Sequence, residues 1–379
     1  MTLDIAIRKA ATLKPKPALE ALGFGRHFTD HIFVMDYDPE HGWHDGRIVP
    51  YGPLGLEPAA AVLHYAQAIF DGLKAFRAAD GRIRSFRLND HCRRINRSAA
   101  KVCMPPIELE WLHDSMVELI RIEQDWVPSG KGTSLYIRPT LFASEPFLGV
   151  RPAERYTYFV LLSPVAGYYG ENREAVKIWV EMRHVRAAPG GLGAAKAAAN
   201  YAASLEAAQE AKQRGFDQVL WLDALEHQWI EEVGTMNLFV RLGDEVVTPP
   251  LDDTFLAGMT RDSVLVLLRD WGVRVSERRV SIDELKQAHR RGELVEVFGG
   301  DLAGRASGLS RRHAHGRRRK AGPGGGAAVR GAHRYPVRAR AGPARVDGAD
   351  YLRGRLANAL LGLDFPTPRL GSSDGRAAD

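Results

Sequence analysis

The chain has 379 residues, 45% hydrophobic and 26% charged, a composition ordinary for a globular protein and long enough for two domains with cores of their own. No apolar run approaches the ~18–20 residues of a membrane span, and the two cysteines, Cys92 and Cys103, suggest neither a disulfide framework nor a zinc site. The net charge of +6 hides a division: residues 301–379 hold 16 Lys+Arg against 6 Asp, while the rest holds 36 basic against 40 acidic residues. The N-terminus, "MTLDIAIRKAATLKPKP", lacks the apolar core of a secretory signal, so a cytoplasmic location is expected.

In chain order, "HIFVMDYD" and "GRIRSFRL" read as strands, the second entered through the turn pair Asp80-Gly81. "NDHCRRINRSAAKVCM" and "IELEWLHDSMVELIRIEQDW" have helical spacing, the latter placing Leu109, Leu112, Met116 and Leu119 on one face. "TSLYIRPTLFAS" and "RYTYFVLLSPV" carry the β-branched and aromatic residues of buried strands. "AGYYGENREA" reads as an interdomain connection. A strand, "VKIWVEMRHV", opens the second half. A helix follows Lys196, with Tyr201, Leu205 and Ala208 on one face and Gly215 at its end. Strands "DQVLWLD", "HQWIEEV" and "NLFVRL" come next, then a helix from near Thr260. "SIDELKQAHRRG" carries a capping box, Ser281 with Glu284, and stops at Gly292 before a last strand, "ELVEVFGG".

Chemistry concentrates around "PGGLGAAKAAANYAASL", residues 189–205, where Lys196 is the single charge among small apolar neighbours. Desolvation of that kind favours a neutral amine. "IEEVGTMNLF" ends a strand with Glu231 and Glu232, then supplies Gly234 and Thr235. Adjacent strand residues point to opposite faces, so at most one carboxylate faces a site and the other reads as facing water. "FLAGMTRDS" sets Gly258 before a helix start, whose free N–H groups bind anions unless Thr260 merely caps it. Arg94, in "HCRRINRSA", reads as a surface arginine unless a phosphate or carboxylate lies opposite. Lysine, carboxylate, arginine and helix start together suit pyridoxal phosphate.

Ordered blocks from about Phe28 to Gly299 resemble a branched-chain amino acid aminotransferase, of the class IV pyridoxal-phosphate aminotransferases. They include "LHYAQAIFDGLKAFR", "FRLNDHCRRINRSA", "SLYIRPTLFASEPFLGV", "VRAAPGGLGAAKAAANYAASL", "QVLWLDALEHQWIEEVGTMNLF" and "GELVEVFG". The resemblance implies an α/β (α+β) chain with the two-domain D-amino acid aminotransferase-like fold, fold type IV. It divides into a smaller α/β domain over 1–165, a connection at 166–176, a larger cofactor domain over 177–300 and a basic tail over 301–379. It implies that Lys196 bonds the cofactor and shuttles the substrate proton, and that Glu232 meets the pyridine nitrogen. It places Tyr201 by the phenolic oxygen, and Arg94, Met259 and Thr260 at the phosphate with Thr235 close by. It also implies a substrate wall of Phe70, Tyr136, Arg138 and Tyr168, with Tyr65 and Val150 reaching in from the partner of a homodimer. The substrates would be leucine, isoleucine or valine with 2-oxoglutarate, and Arg138 would receive the side-chain carboxylate of glutamate. Where the family has two glycines after the lysine, this chain has Ala198 and Ala199.

After Gly299 the resemblance stops. The family's glycine- and threonine-rich loop, which gives ligands to the phosphate and the substrate carboxylate, is replaced by a tail without glutamate or isoleucine. Such a tail is what GC-rich DNA yields out of frame. Written with suitable synonymous codons and advanced one base, 332–338 becomes Arg-Thr-Asp-Ile-Gln-Tyr-Gly, and continuing through 348 can give a family-like ending. The same shift of 309–312 can give Ser-Pro-Val-Gly. The expectation is a frameshifted, disordered tail with weakened cofactor binding. The alternative is a basic nucleic-acid-binding segment, although it lacks interleaved aromatics.

Overall fold

In the computed structural model, which describes residues 3–166 and 176–300, the strands Ser134–Ala143 and Tyr156–Val165 form the centre of a first sheet. Their side chains alternate between faces. Leu135, Ile137 and Leu141 enter the core with Tyr158, Val160 and Leu162, whereas Tyr136, Arg138 and Thr140 lie half-buried on the other face. Outward the sheet continues through His31–Asp38, Gly42–Pro50 and Ala6–Ile7 on one side, and through Leu73–Arg77 and Ile83–Ser85 on the other. The short strand Ala68–Phe70 also pairs on Ser134–Ala143.

Two helices, Leu88–Lys101 and Leu109–Ile122, supply Cys92, Ile95, Ala99, Leu112, Met116 and Leu119 to this core. Leu109, expected on the same face, is 42% exposed. As the first helical residue it extends past the covered part of the stripe, which Ser115 and Ile120 complete instead.

The second sheet runs Arg274–Glu277, Glu245–Thr248, Met236–Leu242, Ile230–Val233, Gln218–Leu222 and Ile178–Val180, with Leu294–Gly300 also pairing on Met236–Leu242. Phe239, Val246 and Phe298 pack against Val264, Leu265 and Leu268 of the helix Met259–Asp270. The last helix, Ile282–Arg291, has the expected box, with Ser281 Oγ accepting from the Glu284 amide at 2.9 Å and Gly292 left-handed at its end. "VKIWVEMRHV" yields only three strand residues. The Glu181 carboxylate accepts from the backbone N–H groups of Arg183 (2.8 Å) and His184 (3.1 Å) and turns the chain away.

The helix expected after Lys196 is two helices, Ala198–Ala203 and Leu205–Gln213, divided at Ser204, whose hydroxyl bonds back to the Tyr201 carbonyl at 2.8 Å. The break resets the helical phase. Ala207 and Ala211, rather than Leu205 and Ala208, face Val219 and Trp221, and Leu205 is 65% exposed. Among the described residues no helix is long and apolar enough to cross a membrane. Tyr168 and the tail over 301–379 lie outside the described residues.

Candidate active site

Lys196 reaches its position by two straps to the first half of the chain. Its amide donates to Ser98 Oγ at 3.0 Å, its carbonyl accepts from the Phe70 amide at 3.0 Å, and the next residue, Ala197, bridges Ile69. The loop before it is equally constrained. Asn200 Nδ2 donates to the carbonyls of Leu192 (2.8 Å) and Ala195 (2.9 Å). A Cβ on Gly193 would lie 2.1 Å from the Thr254 carbonyl oxygen, so no side chain fits there. Ala198 and Ala199, in the first turn after Lys196, are half-buried.

The Lys196 amine donates to the Tyr201 hydroxyl at 2.8 Å and stands 5.1 Å from the Phe70 ring and 5.3 Å from the Tyr201 ring. These two rings contact each other at 4.7 Å. Arg138 also stands over the Phe70 ring, 4.5 Å from its centre, and donates to the Tyr136 hydroxyl at 2.9 Å. Its Nε is buried with no hydrogen-bond partner among the described residues. Gly72 makes room for this wall, because a Cβ there would lie 2.0 Å from the Tyr136 hydroxyl. Phe24, not foreseen from sequence, meets the Tyr136 ring edge-on at 5.1 Å.

Glu232 comes from the strand Ile230–Val233, and its charge interacts with that of Lys196. Its Oε1 receives the Leu256 amide at 3.2 Å and Asn237 Nδ2 at 3.5 Å. Its Oε2 is 3.1 Å from Arg186 Nε, close enough to pair charges, yet the N–H does not aim at it and Oε2 has no hydrogen-bond donor among the described residues. Burial raises the Glu232 carboxyl above the ordinary carboxylate range, against the pull of Arg186, the Leu256 amide and Lys196. Glu231, expected to face water, is instead 6% exposed and accepts from Thr254 Oγ1 at 2.8 Å. Burial, with Asp252, Asp223 and Glu232 nearby, pushes it up to about 7 despite that bond.

Arg94 is buried, not on the surface. Its Nε and Nη2 bind the two oxygens of Asp71 at 2.9 and 2.6 Å, and His91 Nδ1 meets the same carboxylate at 2.9 Å. Burial opposes ionisation of Asp71, but the Arg94 charge and these hydrogen bonds outweigh it and hold the carboxyl well below its usual range. The Arg94 charge also senses Tyr201 and Tyr136, and Nη1 has no hydrogen-bond partner among the described residues.

The helix Met259–Asp270 opens with Gly258 at its N-cap and no side-chain cap, so the amides of Met259, Thr260 and Arg261 form an open first turn. Capping by Thr260 is thereby excluded. Arg87 ties this turn to the first half through the Met259 carbonyl (3.2 Å) and Asp262 (2.7 Å). Thr235 sits exposed in the two-residue turn after Val233, where Gly234 has φ +59°. The Tyr65 hydroxyl donates to the Leu148 carbonyl, and Val150 is 88% exposed.

An amine, an open carboxylate oxygen, an arginine with a spare N–H and an uncapped helix start fit a ring cofactor bearing an aldehyde, a ring nitrogen and a phosphate. Comparison with known proteins agrees with this donor set. Residues 68–290 match the family "Amino-transferase class IV". "Branched-chain-amino-acid transaminase 1" of Bacillus subtilis is 49% identical over 310 residues, 82% of this chain and 87% of that protein. The branched-chain aminotransferase of Thermoproteus uzoniensis, solved with norvaline, shares the fold with a TM-score of 0.64 at 23% identity, over 88% of this chain and 95% of that one. The branched-chain aminotransferase of Thermobaculum terrenum, solved in its PLP-form, shares it with a TM-score of 0.58 at 22% identity, over 74% and 85% of the two chains.

Proposed function

The chain belongs to the class IV aminotransferases, and on that footing we propose that it moves the amino group of leucine, isoleucine or valine to 2-oxoglutarate, giving the branched 2-oxo acid and glutamate. Pyridoxal phosphate is its cofactor. When bound, that group supplies an aldehyde that bonds an amine and a ring that draws electrons from the carbon losing its proton.

The observation that carries this reading is the Lys196 amine held 2.8 Å from the Tyr201 hydroxyl, with its charge acting on the buried Glu232 carboxylate. Lys196 provides the amine that holds the cofactor and then moves the proton at the substrate Cα. Tyr201 orients that amine and the phenolic oxygen. Glu232 Oε2 would accept the ring N–H. Arg94 Nη1 and the amides of Met259 and Thr260 would receive the phosphate, with Thr235 nearby. Phe70, Tyr136 and Phe24 offer apolar surface to the branched side chain, and Tyr168 is assigned to the same wall from sequence. One methylene in such a wall is worth only ~1–3 kcal/mol, so all three amino acids are accepted. Arg138, with the Tyr136 hydroxyl, receives the second carboxylate of glutamate.

Replacement of Lys196 by Ala is expected to lower leucine turnover by about 10²–10⁴-fold, the share of a positioned acid–base group. Borohydride reduction of the loaded protein followed by peptide mapping should fix the cofactor on Lys196. A label on another side chain, or on none, overturns the assignment.

The exposed apolar residues Leu63, Tyr65, Phe147, Leu148 and Val150 support a homodimer in which Tyr65 and Val150 reach the partner's site. Free Cys92 and Cys103 suit the reducing cytoplasm. The strand Leu294–Gly300 pairs Gly300 with Asn237, and a Cβ on Gly300 would meet Thr260 Cγ2 at 3.4 Å. The chain therefore leaves that strand beside the open helix turn, at the place where the family's phosphate loop begins. We infer that residues 301–379 are out of frame and withhold that loop. Sequencing the DNA around codon 300 tests this, and an uninterrupted frame refutes it.

A further inference from the structure

We propose that Arg186 is a positioning residue for this reaction: it supplies a permanent charge that keeps Glu232 ionised while leaving the carboxylate oxygen Oε2 free to accept. The proposal rests on the aminotransferase reading above.

The geometry is specific. Arg186 lies on the loop after Ile178–Val180, and its side chain and that of Glu232 are 6% and 2% exposed. Nη1 donates to the Thr254 carbonyl at 3.2 Å, which anchors the guanidinium from a second segment. That carbonyl is the group against which side-chain-free Gly193 packs, so the lysine loop and the arginine share one support. Nε then stands 3.1 Å from Glu232 Oε2 without directing its N–H at it. The other oxygen, Oε1, is held by Leu256 and Asn237.

A buried carboxylate with an unpaired oxygen favours its protonated form unless a cation compensates. The cations acting on Glu232 are Arg186 and Lys196, and the adjacent Glu231, itself raised to about 7, repels it. Lys196 must give up its proton to act, so its charge is intermittent. A guanidinium never titrates in this range. Arg186 thus balances the charge without consuming the lone pair, a division of labour that a directed, two-pronged ion pair would not permit.

The test compares Arg186→Gln, Arg186→Lys, Glu232→Gln and the double variant Arg186→Gln/Glu232→Gln. In cofactor-free protein at neutral pH, infrared spectra of Arg186→Gln should show a protonated-carboxyl band additional to that of Glu231. It should be missing from wild type, Arg186→Lys and the double variant. In the loaded enzyme, Arg186→Gln should lower kcat about tenfold or more, as loss of a supporting partner commonly does. The KM for leucine should change little, Lys should restore most of the rate, and the loss should vanish in the Glu232→Gln background. Wild-type kcat without a new band overturns the proposal, as does an equal loss in both backgrounds. Should Arg186→Gln not fold, the equally uncharged Arg186→Met replaces it in the cycle: a loss of turnover confined to the Glu232 background supports the proposal, and equal losses, or none, sink it. If leucine turnover is independent of Lys196, the underlying reading has failed instead. The band in cofactor-free protein still reports on the pair in that event.

Discussion

Two buried carboxylate–arginine pairs interact by charge with the Lys196–Tyr201 pair, and they are built differently. Asp71 accepts from Arg94 twice, from His91 and from the Gly72 amide at 2.6 Å, and is held firmly ionised. Glu232 meets Arg186 by charge alone, keeps one oxygen open, and is pushed toward its neutral form. Burial penalises both. Directed hydrogen bonds repay the penalty at Asp71 and make the pair a fixture that presents Arg94, while their scarcity at Glu232 leaves an acceptor for a ligand.

The comparison can be broken from its stronger side first. Asp71→Ala strands Arg94 in the interior and is expected to cost about 3–5 kcal/mol in denaturant unfolding of the cofactor-free chain. A loss below about 1 kcal/mol would show that the pair is not a fixture. Glu232→Gln should do the reverse, lowering leucine turnover by about 10²-fold while costing less stability than Asp71→Ala.

A smaller effect sharpens the contrast through pH. Glu231 rises from 4.5 to about 7 on folding, so between those values the folded state binds the extra proton. Stability at this residue is fullest below pH 4.5, declines as pH rises toward about 7, and then levels. Glu231→Gln should therefore gain on wild type by about 1–3 kcal/mol across that interval, read from unfolding curves at several pH values. A constant difference would contradict it. The least effect belongs to Leu205→Gln. At 65% exposure it should change stability by no more than about 0.5 kcal/mol, where the unbroken-helix expectation demanded a core-sized loss.

Much of the fold was legible because strand alternation and helix signals are local. The central strands Ser134–Ala143 and Tyr156–Val165 and the capped helix Ile282–Arg291 follow directly from pattern. Gly42–Pro50 was not legible, since its glycines, charges and proline oppose strand propensity. It is a strand because His31–Asp38 provides a partner along its length. Lys196 could be singled out because it is a charge where the neighbours are apolar, whereas Glu232 was told from the adjacent Glu231 only by the family resemblance. Asp71, His91, Ser98 and Arg186 could not. Each is separated along the sequence from the group it serves, and nothing local distinguishes it from an ordinary polar residue.

The straps on Lys196 have a mechanical consequence. Although its own helix and loop lie in the second half of the sequence, its backbone is fastened to the strand Ala68–Phe70 and to Ser98 in the first. Flexing between the two sheets would leave the Lys196 amine in step with Phe70 and change chiefly its reach to Glu232 and to the helix start at Met259. Breathing of this kind would tune the grip on the cofactor and leave the substrate's approach to the amine unaltered.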